Sequence, residues 1–332
     1  MDTKRLNETA RAIVANGKGI LAADESGGTI KKRFDKIGVE STETTRRDYR
    51  ATLFTTPGLE SSIGGVILYD ETLRQSTADG VPIPKLLQQR GIVPGIKVDK
   101  GTKPLPMHGE EKITEGLDGL RERLVEYKEL GARFAKWRAV LTIGHDMPSR
   151  ACLVANAQAL ARYAAICQDM DVVPIVEPEV LMDGAHDIDT CDGVTRETLA
   201  TVFGALRDND VYLAGMLLKP SMVISGSDAK DRAAPHEVAR RTVACLLDHV
   251  PPSVPGIAFL SGGQSPEEAT EHLRLMNGMG PFPWKLTFSY GRALQDPALK
   301  AWKGSNANVK TAQAALKTRA DANHAAALGR SV

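Results

Sequence analysis

Cysteine is scarce in this sequence, with only Cys152, Cys167, Cys191 and Cys245. The four lie far apart, with no C-x-x-C pair and no zinc-like spacing, so neither a disulfide framework nor a thiolate metal centre is expected. Buried reduced thiols are the simplest account and suit a reducing compartment. Histidine supplies no metal signature either, because the seven histidines form no H-x-H or H-x-x-x-H pair. Asp183, His186, Asp187 and Asp189 make one acidic cluster, which reads better as a solvated loop than as a cation site. No apolar run approaches the roughly 18 residues of a membrane span. Residues 1–11 are polar and mixed in charge, without the apolar core of a signal peptide. A cytoplasmic protein with no membrane partner is therefore expected. An excess of one charge is missing too. The net charge of +1 gives no reason to expect nucleic acid or an anionic surface as partner. The short basic run Lys31-Lys32-Arg33 lacks neighbouring aromatics and reads as a helix face plus one anion ligand. There is no G-x-x-x-x-G-K-[ST], and no G-x-G-x-x-G turn follows the first apolar segment, which argues against a P-loop and against a doubly wound dinucleotide fold.

What the chain does contain is an alternation. Apolar residues make up 42% and charged residues 25%, an ordinary globular balance. Short apolar segments recur at 19–24, 63–69, 93–98, 134–141, 172–176, 213–218, 257–260 and 286–288. Between them lie stretches with helical spacing, at 116–130, 151–170, 195–206, 235–250 and 265–276. In the first of these, Leu117, Leu120, Leu124 and Tyr127 fall on one face. Ser265-Pro266-Glu267-Glu268 has the form of a helix start, with a Ser cap, Pro in the first turn and Glu completing a capping box. Eight strands alternating with helices, with no linker between them, predict an α/β fold, a single (β/α)8 TIM barrel over residues 1–332.

A barrel demands that functional groups sit at the C-terminal ends of several strands. Here the sixth apolar run ends in Lys219-Pro220, and Pro220 stops the strand there. An ammonium half withdrawn from water at such a point is a candidate for Schiff-base chemistry with a carbonyl substrate. The other segments end in chemistry as well: Asp24-Glu25-Ser26, Lys97 with Asp99, Lys136 with Arg138, Glu177-Pro178-Glu179, Ser261-Gly262-Gly263, and Ser289-Tyr290-Gly291-Arg292. Converging charges at this many strand ends are hard to explain as packing, since a buried charge is costly unless paired or used. Lys136 is expected to raise the positive potential at Lys219 and depress its pKa. Glu177 offers a proton-shuttling carboxylate with Asp24 as a second, and Glu179 is expected to orient a lysine. The loops after strands seven and eight, with Ser261, Gly262, Gly263, Gly291 and Arg292, form the usual phosphate site of a barrel. Ser26, Thr29, Arg33 and Lys97 form a second anion-binding set, so a substrate phosphorylated at both ends is predicted.

These stretches together resemble class I fructose-1,6-bisphosphate aldolase from end to end. The match runs through Gly19-Ile20-Leu21-Ala22-Ala23-Asp24-Glu25-Ser26, Ile96-Lys97-Val98-Asp99-Lys100-Gly101 and Phe134-Ala135-Lys136-Trp137-Arg138. It continues through Val173-Pro174-Ile175-Val176-Glu177-Pro178-Glu179, Leu217-Leu218-Lys219-Pro220, Phe259-Leu260-Ser261-Gly262-Gly263-Gln264-Ser265 and Leu286-Thr287-Phe288-Ser289-Tyr290-Gly291-Arg292-Ala293-Leu294. The resemblance implies a metal-independent, cofactor-free lyase of glycolysis and gluconeogenesis, forming a homotetramer and acting on sugar phosphates. It implies Lys219 as Schiff-base former, Glu177 as principal acid/base, Asp24 and Lys136 as supporting catalytic residues, and Glu179 as their positioning neighbour. Arg138, Ser289 and the two phosphate sets would bind substrate, with Thr29 standing where a serine is common. Many animal and plant members end in a mobile tail closing on tyrosine, which assists proton exchange at the enamine. The last tyrosine here is Tyr290, and the sequence ends Arg330-Ser331-Val332 after a helical 309–328. That step is therefore expected to fall to another group, with Glu177 the candidate, or to be slower. A sugar-phosphate-binding scaffold without activity is the alternative, and the retained Lys219, Glu177, Lys136 and Asp24 argue against it.

Overall fold

The computed structural model describes residues 1–331; Val332, the last residue of the expected domain, lies outside the described residues. Ten strands occur in chain order: β1 (Gly19–Ala23), β2 (Ile63–Leu68), β3 (Val93–Lys97), β4 (Thr102–Pro104), β5 (Lys112–Thr114), β6 (Phe134–Leu141), β7 (Val173–Val180), β8 (Leu217–Leu218), β9 (Gly256–Phe259) and β10 (Lys285–Tyr290). All but β4 and β5 close into one parallel barrel in the order β1-β10-β9-β8-β7-β6-β3-β2. This is the expected TIM barrel. The two remaining strands form an antiparallel hairpin after β3, which the sequence reading did not separate from its surroundings.

Helices fill the connections: α1 (Thr3–Ile13), α2 (Gly27–Asp35), α3 (Glu43–Phe54), α4 (Asp70–Arg74), α5 (Ile83–Gln89) and α6 (Leu120–Glu129). They continue with α7 (Arg150–Asp169), α8 (Ile188–Asp208), α9 (Pro235–His249), α10 (Pro266–Gly278), α11 (Arg292–Trp302) and α12 (Val309–Ala327). The capping box expected at Ser265 forms in both halves: Ser265 Oγ accepts from Glu268 N at 3.1 Å, and Glu268 Oε2 accepts from Ser265 N at 3.0 Å.

Two packing layers decide where a ligand can enter. Outside the barrel, one large cluster joins the outward strand faces to the helices. Inside, Leu6, Ala10 and Ile13 of α1 pack against Ile20, Ala22, Ile67, Phe134, Val173, Ile175 and Leu217. The amino-terminal helix thus plugs the bottom of the barrel. At Gly64 a Cβ would stand 2.1 Å from the Ile13 carbonyl oxygen, so only glycine lets α1 lie this close. The opposite end, where strands finish, stays open.

Three expected boundaries are corrected. Residues 213–218 are not one strand, because Leu213–Gly215 is a 3-10 turn and only Leu217–Leu218 enters the barrel. Gln168 Nε2 takes the carbonyls of Tyr212 and Gly215, holding the turn away from the ladder. Of residues 172–176, Val173–Val176 are only the first part of β7, since pairing with β6 carries the strand on to Leu141 opposite Val180. Glu177 and Glu179 therefore lie within a strand, not beyond its end. Finally, α6 starts at Leu120, because Gly116 and Gly119 both adopt positive φ, at 128° and 65°.

Candidate active site

A cleft of about 770 Å³ occupies the open end of the barrel. Of the residues expected to act in catalysis or substrate binding, all but Gly263 line it. Its floor is a chain of ion pairs. Lys136, on β6, lies 2.8 Å from Asp24 Oδ2 and 3.2 Å from Glu177 Oε2. The other oxygen of Glu177 lies 3.2 Å from Lys219 Nζ. One carboxylate thus bridges two lysines. Lys136, Glu177 and Lys219 are each buried, at 3%, 3% and 4% exposure, so these charges interact with little screening by water. Lys219 follows β8 directly, and its N–H donates to Val176 O at 2.8 Å. That bond sets the lysine beside β7, next to the glutamate.

Burial opposes ionisation of Lys136, but the carboxylates of Asp24, Glu177 and Asp99 outweigh it and hold its pKa well above the ordinary lysine value. Burial likewise opposes charge on Asp24, while Lys136, Lys219 and Lys97 more than offset it and hold the carboxyl below the usual carboxylate range. Lys136 is thereby a fixed cation and Asp24 a fixed anion near neutral pH. The group in direct contact with Lys219 is the Glu177 carboxylate, which Lys136 shares through its other oxygen. Glu179 does not orient a lysine; it pairs with Arg138, one step nearer the mouth on β6. For the Arg138 guanidinium too, burial opposes the charge and is outweighed by Glu179.

Above this floor stand the anion-binding groups. Ser261, Gly262 and Gly263 follow β9, and the two glycines take φ of 58° and 104°, a turn that other residues rarely adopt. Gly291 and Arg292 begin α11 directly after β10, adding free backbone N–H groups and the positive end of a helix dipole. A Cβ on Gly263 would stand 3.2 Å from Met182 Cε and 3.7 Å from Arg292 Nη2, so Gly263 lies beside that guanidinium although it does not line the cleft. Across the cleft, Ser26 Oγ and Thr29 Oγ1 lie 3.1 Å apart at the start of α2, and Ser26 makes no capping bond of its own. Lys97 Nζ donates to Asp99 O at 2.9 Å. Arg33 donates to Glu25 Oε1 at 2.7 Å and reaches within 3.9 Å of a Cβ placed on Gly291. The two anion sets therefore meet at Arg33. Ser289 Oγ, 1% exposed on β10, has no hydrogen-bond partner among the described residues.

Several supporting residues escaped the sequence reading. Gln295 Nε2 donates to Ala22 O at 2.6 Å and to Glu25 Oε1 at 2.8 Å, tying α11 to the loop after β1. Arg50, 1% exposed, donates to Glu25 O at 2.7 Å and Thr72 Oγ1 at 2.6 Å. A glutamine or arginine inside a helix carries no local signal of burial; only the packing of α3 and α11 reveals these two. The acidic cluster has structural employment: Asp187 caps α8 by accepting from Thr190 N at 2.8 Å, and Asp189 pairs with Arg241 at 2.5 Å. The four cysteines are buried and unbridged, and burial pushes the Cys152 thiol up to about 11 and Cys245 to about 12.

Comparison with known proteins decides what this cleft belongs to. The family model for fructose-bisphosphate aldolase class-I matches residues 5–332. The chain belongs to the class I fructose-bisphosphate aldolases. Such an aldolase is a lyase, and this one is 56% identical over 331 residues to a Xanthomonas campestris protein described as "Probable fructose-bisphosphate aldolase class 1", covering 99% of each chain. It is 55% identical to "Fructose-bisphosphate aldolase 5, cytosolic" of Arabidopsis thaliana, over 98% of this chain and 91% of that one. A crystal structure of the Plasmodium falciparum aldolase, solved with TRAP and a small-molecule inhibitor, matches with a TM-score of 0.98 and 51% identity, over 99% of this chain and 96% of that one. The aldolase thus has the barrel and the activity that its motifs implied.

Proposed function

We propose that Lys219 is the Schiff-base residue of this aldolase and Glu177 its principal acid/base. The observation that carries this reading is the 3.2 Å contact between Lys219 Nζ and Glu177 Oε1, both buried at the floor of the cleft. An amine attacks a carbonyl only after losing its proton, and the adjacent carboxylate gives that proton a place to go. The amine adds to the ketose carbonyl of fructose 1,6-bisphosphate, and Glu177 returns protons as water leaves. The resulting iminium draws electrons. When the C4 hydroxyl gives up its proton, the C3–C4 bond breaks and glyceraldehyde 3-phosphate departs. The enamine left on Lys219 takes a proton, and hydrolysis frees dihydroxyacetone phosphate.

Lys136 and Asp24 hold charge on either side of this path, Lys136 keeping Glu177 in place through its second oxygen. Glu179 acts on Arg138, which presents a guanidinium toward substrate at the cleft wall. Ser261, Gly262, Gly263, Ser289, Gly291 and Arg292 serve one phosphate; Ser26, Thr29, Arg33 and Lys97 serve the other. The reading extends to the whole protein as one aldolase domain over residues 1–332, a homotetramer acting in the cytosol. Family resemblance supports the tetramer and the Arabidopsis relative's description supports the cytosol. The test of the central assignment is borohydride reduction in the presence of dihydroxyacetone phosphate, with the adduct mapped by tryptic digestion. The expected adduct is on the Lys219 peptide; an adduct on any other lysine overturns the assignment.

A further inference from the structure

Behind the turn Ser261-Gly262-Gly263 lies a second layer of hydrogen bonds that ends on a buried histidine. Gln264, 7% exposed, donates twice to the Ser261 carbonyl, from its backbone N at 2.9 Å and from Nε2 at 3.0 Å. The same Nε2 lies 3.6 Å from Met222 Sδ, in the segment that follows Lys219. With a carbonyl and a thioether on that side, the amide must present its NH2 there and its oxygen to the other side. On that other side, His272 Nδ1 meets Gln264 Oε1 at 2.6 Å. The oxygen accepts, so His272 carries its proton on Nδ1. His272 is 3% exposed on α10, and burial favours its neutral form.

We infer that His272 is a positioning residue for the phosphate seat at Ser261 and Gly262, acting through Gln264, an inference that rests on the reading of that turn as a phosphate site. Two successive left-handed glycines make the turn freely adjustable, and the amide of Gln264 pins it to the segment after Lys219. His272 fixes which way that amide faces. Without the imidazole donor, Gln264 Oε1 becomes a buried acceptor with no partner, and turning the amide around to seek one surrenders the bond to Ser261. The reacting pair, Glu177 on β7 and Lys219 directly after β8, is not part of this chain of hydrogen bonds, so the loss should fall on phosphate binding.

The test measures fructose 1,6-bisphosphate cleavage and competitive inhibition by inorganic phosphate in four variants. For His272→Leu, KM and the phosphate inhibition constant should rise together by about three- to tenfold, with kcat within about twofold of the parent. His272→Asn, whose Nδ2–H can occupy the place of the imidazole Nδ1–H, should restore both. Gln264→Glu keeps an acceptor for His272 but loses the donor to Ser261, and should reproduce the rise even if His272→Leu does not fold. Ser261→Ala gauges the phosphate reading by itself. If Ser261→Ala leaves KM and phosphate inhibition unchanged, the phosphate reading falls and the inference with it. If Ser261→Ala raises them while His272→Leu or Gln264→Glu does not, the inference alone is overturned. Equal loss of kcat without a change in phosphate inhibition would mark His272 as merely structural and also overturn it.

Discussion

Replacing Lys136 with methionine should destabilise this protein strongly at neutral pH and much less in mild acid. Methionine is one atom shorter than lysine and fills most of the space, so the change is chiefly one of charge. Lys136 Nζ is the cation nearest Asp24, at 2.8 Å, and lies 3.2 Å from Glu177. Removing one partner from a buried ion pair typically costs about 3–5 kcal/mol, because the other charge is left without compensation. Lys219 still faces Glu177 at 3.2 Å, which places the expected loss toward the lower end of that range. The pH dependence follows from Asp24. In the parent its folded pKa is depressed below the reference of 3.8, so its contribution is present above that value and is lost as pH falls through the folded value. In the variant, burial without Lys136 raises the folded pKa instead, and the resulting destabilisation is full above that raised pKa and relieved as pH falls through it. Parent and variant stabilities should therefore converge on acidification. Urea unfolding at about pH 8 and about pH 5 measures the gap directly. A gap below about 1 kcal/mol at the higher pH, or one that does not narrow at the lower, would refute the ion-pair account.

Arg292→Ala should weaken binding of fructose 1,6-bisphosphate by about 1.5–3 kcal/mol and affect unphosphorylated fructose little; equal losses on both would make Arg292 structural. Lys219→Arg should be nearly inactive in cleavage assays, because a guanidinium stays protonated and does not add to a carbonyl; substantial turnover would reject Lys219 as the Schiff-base residue. Light scattering on the purified protein should give four times the chain mass of 35.7 kDa, and a monomer mass would reject the tetramer.

The barrel was legible because its strands are buried on both faces and so read as short apolar runs, while the intervening helices carry one apolar stripe. The helix at Ser265 was legible down to its first residue, since a capping box is a local device. At two of the three corrected boundaries a distant partner decides the outcome. β7 runs past its apolar stretch because β6 continues beside it, and charged Glu177 and Glu179 remain in a ladder that no local preference announces. The run 213–218 breaks because Gln168, from the far end of α7, captures the carbonyl of Gly215 and that of Tyr212 just before the run.

The candidate site divides in the same way. Period-two alternation along a strand puts Lys136 with Arg138 and Glu177 with Glu179 on one face each, but it is silent on which cation meets which carboxylate. Register settles that. Lys136 stands opposite Ile175 and Arg138 opposite Glu177, so β6 offers its lysine one step deeper than its arginine. From there the lysine meets Glu177 on one side and Asp24, at the end of β1, on the other. The arginine, nearer the mouth with its side chain 42% exposed, reaches Glu179. A slip of one residue would turn both cations out of the barrel and leave two buried carboxylates unpaired, so the ion pairs and the hydrophobic pattern demand the same register. The free face of Glu177 is then turned to Lys219, and the geometry that makes the charges tolerable inside the barrel is the one that sets a base beside the amine.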